Sequence, residues 1–167
     1  MMLTPSEKFQ NQLKEEIIDN RLAVSGFIHM MVGDLIGEGE TRTVYDCALS
    51  PALVIKHEPN QTMHNVLEWE IYKDLEGNKN KLKKWLAEPV MLSPCGRWLI
   101  MEKTSPPPPS FIYPKKMPKA LRDFHNENFG LIDGKFVCHD YGSIPLITDP
   151  ESNKRVKVKW RRYSGEV

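Results

Sequence analysis

Leu121-Arg122-Asp123-Phe124-His125-Asn126-Glu127-Asn128-Phe129-Gly130, followed by His139-Asp140-Tyr141-Gly142, is the stretch on which the reading of this chain turns. Between the two segments, Gly130 to Ile132 and Lys135 to His139 flank Asp133-Gly134, a strong type I′ turn signal that predicts a tight hairpin. Asp123 and Asn128 therefore share one loop, and the hairpin leads directly to Asp140. Phosphoryl transfer needs a carboxylate to orient the attacking hydroxyl and accept its proton, plus oxygen ligands that hold magnesium against the phosphates. Asp123, Asn128 and Asp140 supply those groups. His125 and His139 raise a transition-metal site as an alternative, but no His or Cys pair has a recognised ligand spacing.

Upstream, Met30 to Ile36, Thr41 to Leu49 and Ala52 to His57 are short segments rich in apolar or β-branched residues, separated by Gly37/Gly39 and by Ser50-Pro51. They predict three antiparallel strands. Gly37 and Gly39 would let backbone amides approach a phosphate, although a strand-turn-strand also uses glycine for its turn. Lys56 ends the apolar run Leu53-Val54-Ile55, and a lysine within a buried strand needs an anionic partner. Thr62 to Leu75 carries Val66, Leu67, Ile71 and Leu75 at helical spacing. Glu68 shares a face with Ile71, Tyr72 and Leu75, whereas Glu70 projects about 200° away, so Glu68 is the expected partner of Lys56. A short basic amphipathic stretch, Lys79 to Leu86, follows. Pro89 to Leu92 and Arg97 to Glu102, joined by Ser93-Pro94-Cys95-Gly96, predict strands four and five of the same sheet.

Pro106 to Pro109 reads as a stiff connector, with a proline-module ligand as the sharper alternative. Met117 to Phe124 is a short helix candidate. Arg155 to Arg162 alternates Val156, Val158 and Trp160 with Lys157, Lys159 and Arg161, a strand with one apolar and one basic face. That basic face is read as solvated, with a phosphate-backbone contact as the alternative. Thr4 to Asn20 repeats Phe9, Leu13 and Ile17 and predicts an amphipathic helix.

With 23 Lys and Arg against 22 Asp and Glu, no global field points to nucleic acid or an anionic membrane. Hydrophobic content of 40% suits a folded domain, and no apolar run approaches the roughly 20 residues of a membrane span. Cys47, Cys95 and Cys138 are unpaired in spacing and each is expected to be a small buried thiol. The expectation is a cytoplasmic protein in a reducing, intracellular setting, with no membrane partner.

The order of Gly-rich loop, strand lysine, helix glutamate, Arg-Asp-x-x-x-x-Asn and Asp-Tyr-Gly resembles the eukaryotic-type protein kinase fold and its relatives, from about Met30 to Gly142. Asp123-Phe124-His125 is similar to the Asp-x-His of aminoglycoside phosphotransferase-like kinases. The resemblance implies an α+β fold with a kinase-like N-lobe (a five-stranded antiparallel sheet plus a helix) and a strongly truncated C-lobe. It divides the chain into an N-terminal helix (1–22), the N-lobe (23–104), a Pro-rich linker (105–116) and a minimal C-lobe (117–167). It implies that Gly37, Gly39 and Val44 cover the nucleotide and that Lys56, held by Glu68, pairs the α- and β-phosphates. Met101, Glu102 and Lys103 would border adenine, Asp123 would be the catalytic base with His125 beside it, and Asn128 and Asp140 would bind Mg2+. Arg42 stands at the third glycine position and Leu121 where histidine commonly precedes Arg-Asp. After Gly142 only 25 residues remain, too few for the usual peptide-substrate platform.

These features lead to an ATP- and magnesium-dependent phosphotransferase, a minimal serine/threonine-type kinase acting on itself or on a host protein. Two alternatives stand beside it. One is a pseudokinase scaffold of a phage or other compact genome that binds a partner protein; the other is a small-molecule kinase. A homodimer supplying the missing platform in trans is a further expectation.

Overall fold

The computed structural model describes residues 26–60, 62–144 and 153–161, so the helix expected over residues 4–20 lies outside the described residues. The fold is α+β. Strands β1 (Val32–Glu38), β2 (Thr43–Cys47), β3 (Leu53–His57), β4 (Pro89–Leu92) and β5 (Trp98–Glu102) form one antiparallel sheet in the order β1-β2-β3-β5-β4. The central strand β3 reads Leu-Val-Ile-Lys-His and buries Val54, Ile55 and Lys56, as a strand covered on both faces should. The expected strand from residue 30 is shortened at its start. Residues 26–31 are helical, and Ile28 and Met31, three apart, bury together against Cys47, Ile55 and Ile100 on one face of the sheet.

Helix α1 (His64–Gly77) covers the other face, burying Asn65, Glu68, Ile71, Tyr72 and Leu75 along one stripe. Its first turn is held by the residue just after β3: the buried Glu58 carboxylate accepts the Asn65 amide at 3.0 Å and the Thr62 hydroxyl at 2.6 Å, an anion at a helix N-terminus. The basic stretch after α1 is a 3-10 helix, Lys81–Trp85, in which Leu82 is the inward residue.

Strands β7 (Phe129–Ile132) and β8 (Lys135–Cys138) make the expected hairpin, with Asp133 at φ 49° and Gly134 at φ 74°, as a type I′ turn requires. The helix expected over residues 117–124 is not formed. Lys116–Pro118 is instead strand β6, antiparallel to β9 (Arg155–Lys157), with Met117 opposite Val156. Pro118 has no amide to give a helix interior, and Met117 is fully buried in the strand conformation. One core joins sheet, helix and C-terminal part: Val54, Ile71, Leu75, Leu99 and Met101 pack with Met117, Leu121, Phe129, Val137 and Tyr141. Cys47 and Cys138 are buried, but Cys95 is exposed, because it sits in the Ser93–Gly96 turn rather than on the inner face of a strand. No helix among the described residues is long and apolar enough to cross a membrane.

Candidate active site

The site is built around one buried carboxylate. Glu68 is wholly inaccessible and receives three sets of donors: Lys56 Nζ at 2.9 and 3.1 Å, the Arg42 guanidinium at 3.0 and 3.1 Å, and the Tyr141 amide at 3.1 Å. Burial alone would push its pKa up, but the Lys56 and Arg42 charges outweigh this and hold it at about 2. Lys56 is buried beside it. Desolvation lowers the ammonium pKa, opposed by Glu68, and Nζ also donates to the His139 carbonyl. Helix, strand β3 and the Asp140 segment are thus tied at one point. Glu70, on the same helix, is exposed.

Arg42 is the residue that sequence reasoning missed. Its guanidinium is only 8% exposed and bridges Glu68 to Asp140, 2.5 Å from Asp140 Oδ1, with a longer contact to Asn65 Oδ1 at 3.4 Å. Burial opposes its charge, yet the two carboxylates raise its pKa above the ordinary value. Its position two residues before Val44, just ahead of the strand that pairs Val44 with Lys56, is the signal that points it toward the lysine site.

The loop that follows places the other groups. Asn128 Nδ2 donates to Asp123 Oδ2 at 2.9 Å, leaving Oδ1 to Arg161 at 3.2 Å and to the His125 ring at 3.6 Å. The His139 amide bonds the Asn128 carbonyl at 2.9 Å, so the hairpin clamps the loop to Asp140. Asp123 and Asp140 line a common cleft of about 240 Å3 with Leu121, Arg122, Phe129 and Ser143. A larger cleft of about 600 Å3, among Tyr72, Lys83, Glu88, Ile132 and Lys135, shares only Glu102 with the expected site.

The segment after β5 runs along β7: Ser105 and Leu131 exchange backbone bonds of 2.9 and 2.8 Å. Gly130 permits this approach, since a Cβ there would lie 2.5 Å from Thr104. Met101 is buried in the core, and the Glu102 carboxylate turns to the Glu88 amide at 2.9 Å. The Lys103 side chain pairs with Asp46 and its amide with the Ala52 carbonyl. Only the Thr104 amide of residues 102–105 donates to no acceptor among the described residues. At the other wall, Gly39 closes a turn through its amide to the Arg42 carbonyl at 2.8 Å, and Gly37 pairs with Val44. Added Cβ atoms at Gly37 and Gly39 would meet nothing closer than 3.8 and 3.7 Å. The turn itself therefore does not demand these glycines, and their missing side chains leave the surface over Val44 open.

His139 is held neutral: burial, with Lys56 nearby, lowers its pKa to about 4, and Nδ1 faces the Thr104 hydroxyl at 2.8 Å. That role is structural. Comparison with protein-family models and with curated proteins finds no match.

Proposed function

We propose that this chain is a Mg-ATP-dependent phosphotransferase, a minimal kinase-like fold that phosphorylates a protein serine or threonine hydroxyl. The observation that carries the reading is the buried Lys56–Glu68 pair fastened, through His139 and Tyr141, to the segment of Asp140, which the His139 amide in turn holds to the loop of Asp123 and Asn128. The residues present fit the nucleotide and its ion. Asn128 and Asp140 offer two oxygen ligands, the small protein complement that magnesium takes when phosphates complete its shell. The open Gly37/Gly39 turn faces the strand that carries Lys56, and the Thr104 amide is free to donate to a purine edge.

When bound, Mg-ATP supplies the phosphoryl group and the neutralisation of its charge. The chain's own contributions are positional and electrostatic. Lys56, oriented by Glu68, meets phosphate oxygens. Asn128 fixes Asp123 by its Oδ2, so that Oδ1 can accept the acceptor hydroxyl's proton as that oxygen bonds phosphorus and the bond to the leaving nucleotide breaks. Half-buried Val44 gives the purine an apolar wall, while Met101, buried in the core, lies behind it.

The test is transfer of labelled γ-phosphate to protein in a cell lysate by wild type and by Asp123→Asn. The expected result is labelled protein with wild type alone, while Mg-ATP affinity of the variant stays within about threefold. A second reading, a scaffold without transfer, is favoured by the Arg42–Asp140 bridge, which neutralises a proposed magnesium ligand. Absence of transfer by wild type to protein and small hydroxyl acceptors alike selects the scaffold.

A further inference from the structure

The C-terminal strand does more than close the small sheet. Segments 113–122 and 153–161 contain no Asp or Glu, although the whole chain nearly balances its charges. Pairing of β6 with β9 sets Lys116 directly opposite Lys157, and the Val158 amide continues the pairing onto the Lys115 carbonyl at 3.1 Å. Through β9 and the segment that follows it, Val156, Val158 and Trp160 are half-buried while Lys157, Lys159 and Arg161 are exposed. Trp160 locks the strand in place, its indole N–H donating to the Pro114 carbonyl at 2.9 Å while its ring packs on Phe124, Phe129 and Phe136.

Lys115, Lys116, Lys157 and Lys159 are exposed, and none is in an ion pair among the described residues. Like charges directly across a ladder repel, so the Lys116/Lys157 juxtaposition is unfavourable until an anion lies between them. The row is aimed. Arg161 donates to the Asp123 carboxylate at 3.2 Å and exchanges backbone bonds with Phe124 and Asn126, so the cations run from Arg155 to the proposed base over about 20 Å.

We propose that this row is the docking track for an acidic peptide segment whose serine or threonine is delivered to Asp123. The inference rests on the phosphotransferase reading of that residue. Charge complementarity selects the occupant: carboxylates at alternate positions of an extended peptide match cations at alternate positions of β9 and the segment after it, which is tied down by the Val158 amide, the Trp160 indole and the Arg161 backbone. A nucleic acid fits less well. The aromatic residue of the strand faces the core and offers no stacking surface, and a continuous phosphate backbone would meet the Asp123 carboxylate at the end of the row.

The test uses the full chain and three fluorescein-labelled peptides with one central serine, flanked by glutamate, by glutamine or by lysine. Anisotropy is read with and without salt. The glutamate peptide is expected to bind about tenfold more tightly than the glutamine peptide, and to lose that advantage in the Lys157→Glu/Lys159→Glu variant. The milder Lys157→Gln/Lys159→Gln variant, with unchanged melting temperature, is expected to lose part of it. Equal binding of glutamate and glutamine peptides overturns the proposal, as does displacement of the glutamate peptide by a single-stranded oligonucleotide at lower concentration than by the unlabelled peptide. Binding is scored apart from transfer: a glutamate preference upholds the track, and the kinase reading stands or falls separately on γ-phosphate transfer to lysate protein and small hydroxyl acceptors.

Discussion

Replacing Glu68 with glutamine keeps the side chain's size and its acceptor for the Tyr141 amide, but removes the charge on which two buried cations converge. Lys56 and Arg42 are 4% and 8% exposed, and both lie within 3.1 Å of the carboxylate. Arg42 retains Asp140, whereas Lys56 is left with the His139 carbonyl. Taking one partner from a buried ion pair costs about 3–5 kcal/mol, because the remaining charge stays desolvated. Lys56 can relieve part of this by shedding its proton, since burial already lowers its pKa, so the lower end of the range is expected. For a domain of this size each kcal/mol moves the melting temperature by roughly 2–4 °C, giving a fall of about 6–12 °C for a 3 kcal/mol loss. Urea unfolding followed by tryptophan fluorescence measures it, with an unchanged slope excluding a change in the unfolded state. Glu70→Gln, exposed on the same helix, is the control and should stay within about 0.5 kcal/mol. A Glu68→Gln loss no larger than that of the control would refute the claim that this carboxylate holds the site together.

Arg42→Gln should free Asp140 and tighten magnesium-dependent ATP binding about tenfold by calorimetry; weaker binding would mean that the guanidinium itself serves the phosphates. His139 contributes a pH dependence with a definite sign. Its folded pKa of about 4 lies below the ordinary 6.5, so the unfolded chain takes up a proton first, and stability present above pH 6.5 falls by about 3 kcal/mol as pH drops toward 4. His139→Asn should flatten that slope in urea titrations across the same range. Gly130→Ala would drive a methyl into Thr104 and the Ser105 carbonyl, and should cost about 1–3 kcal/mol, again by urea midpoint.

Much of this arrangement was legible because it is local. Strand periodicity, Asp133-Gly134 and the shared face of Glu68 with Ile71 and Leu75 are set by neighbours in the chain, and the sheet, the hairpin and the Lys56 partner follow from them. What the pattern could not convey depends on distant segments. Met117 joins a strand rather than a helix because residues 155–157 arrive to pair with it, and nothing in 116–124 announces that partner. Arg42 reads as a missing glycine until Glu68 and Asp140 converge on its guanidinium. Arg161 reads as one more solvated cation until the last strand brings it to Asp123. Cys95 looked apolar by its flanks, but its turn faces outward.

The proposed function requires that Lys56, Asn128 and Asp140 form a site for ATP with magnesium. Thermal denaturation of the full chain with ATP and magnesium, with ATP and a chelator, and with magnesium alone tests it most directly. At about 100 times the dissociation constant the complex should gain roughly 2.7 kcal/mol, and the melting temperature should rise by about 5–11 °C. The account predicts that rise with ATP and magnesium together and little with either alone, and its loss in Asp140→Asn. An unchanged melting temperature at millimolar Mg-ATP would contradict it.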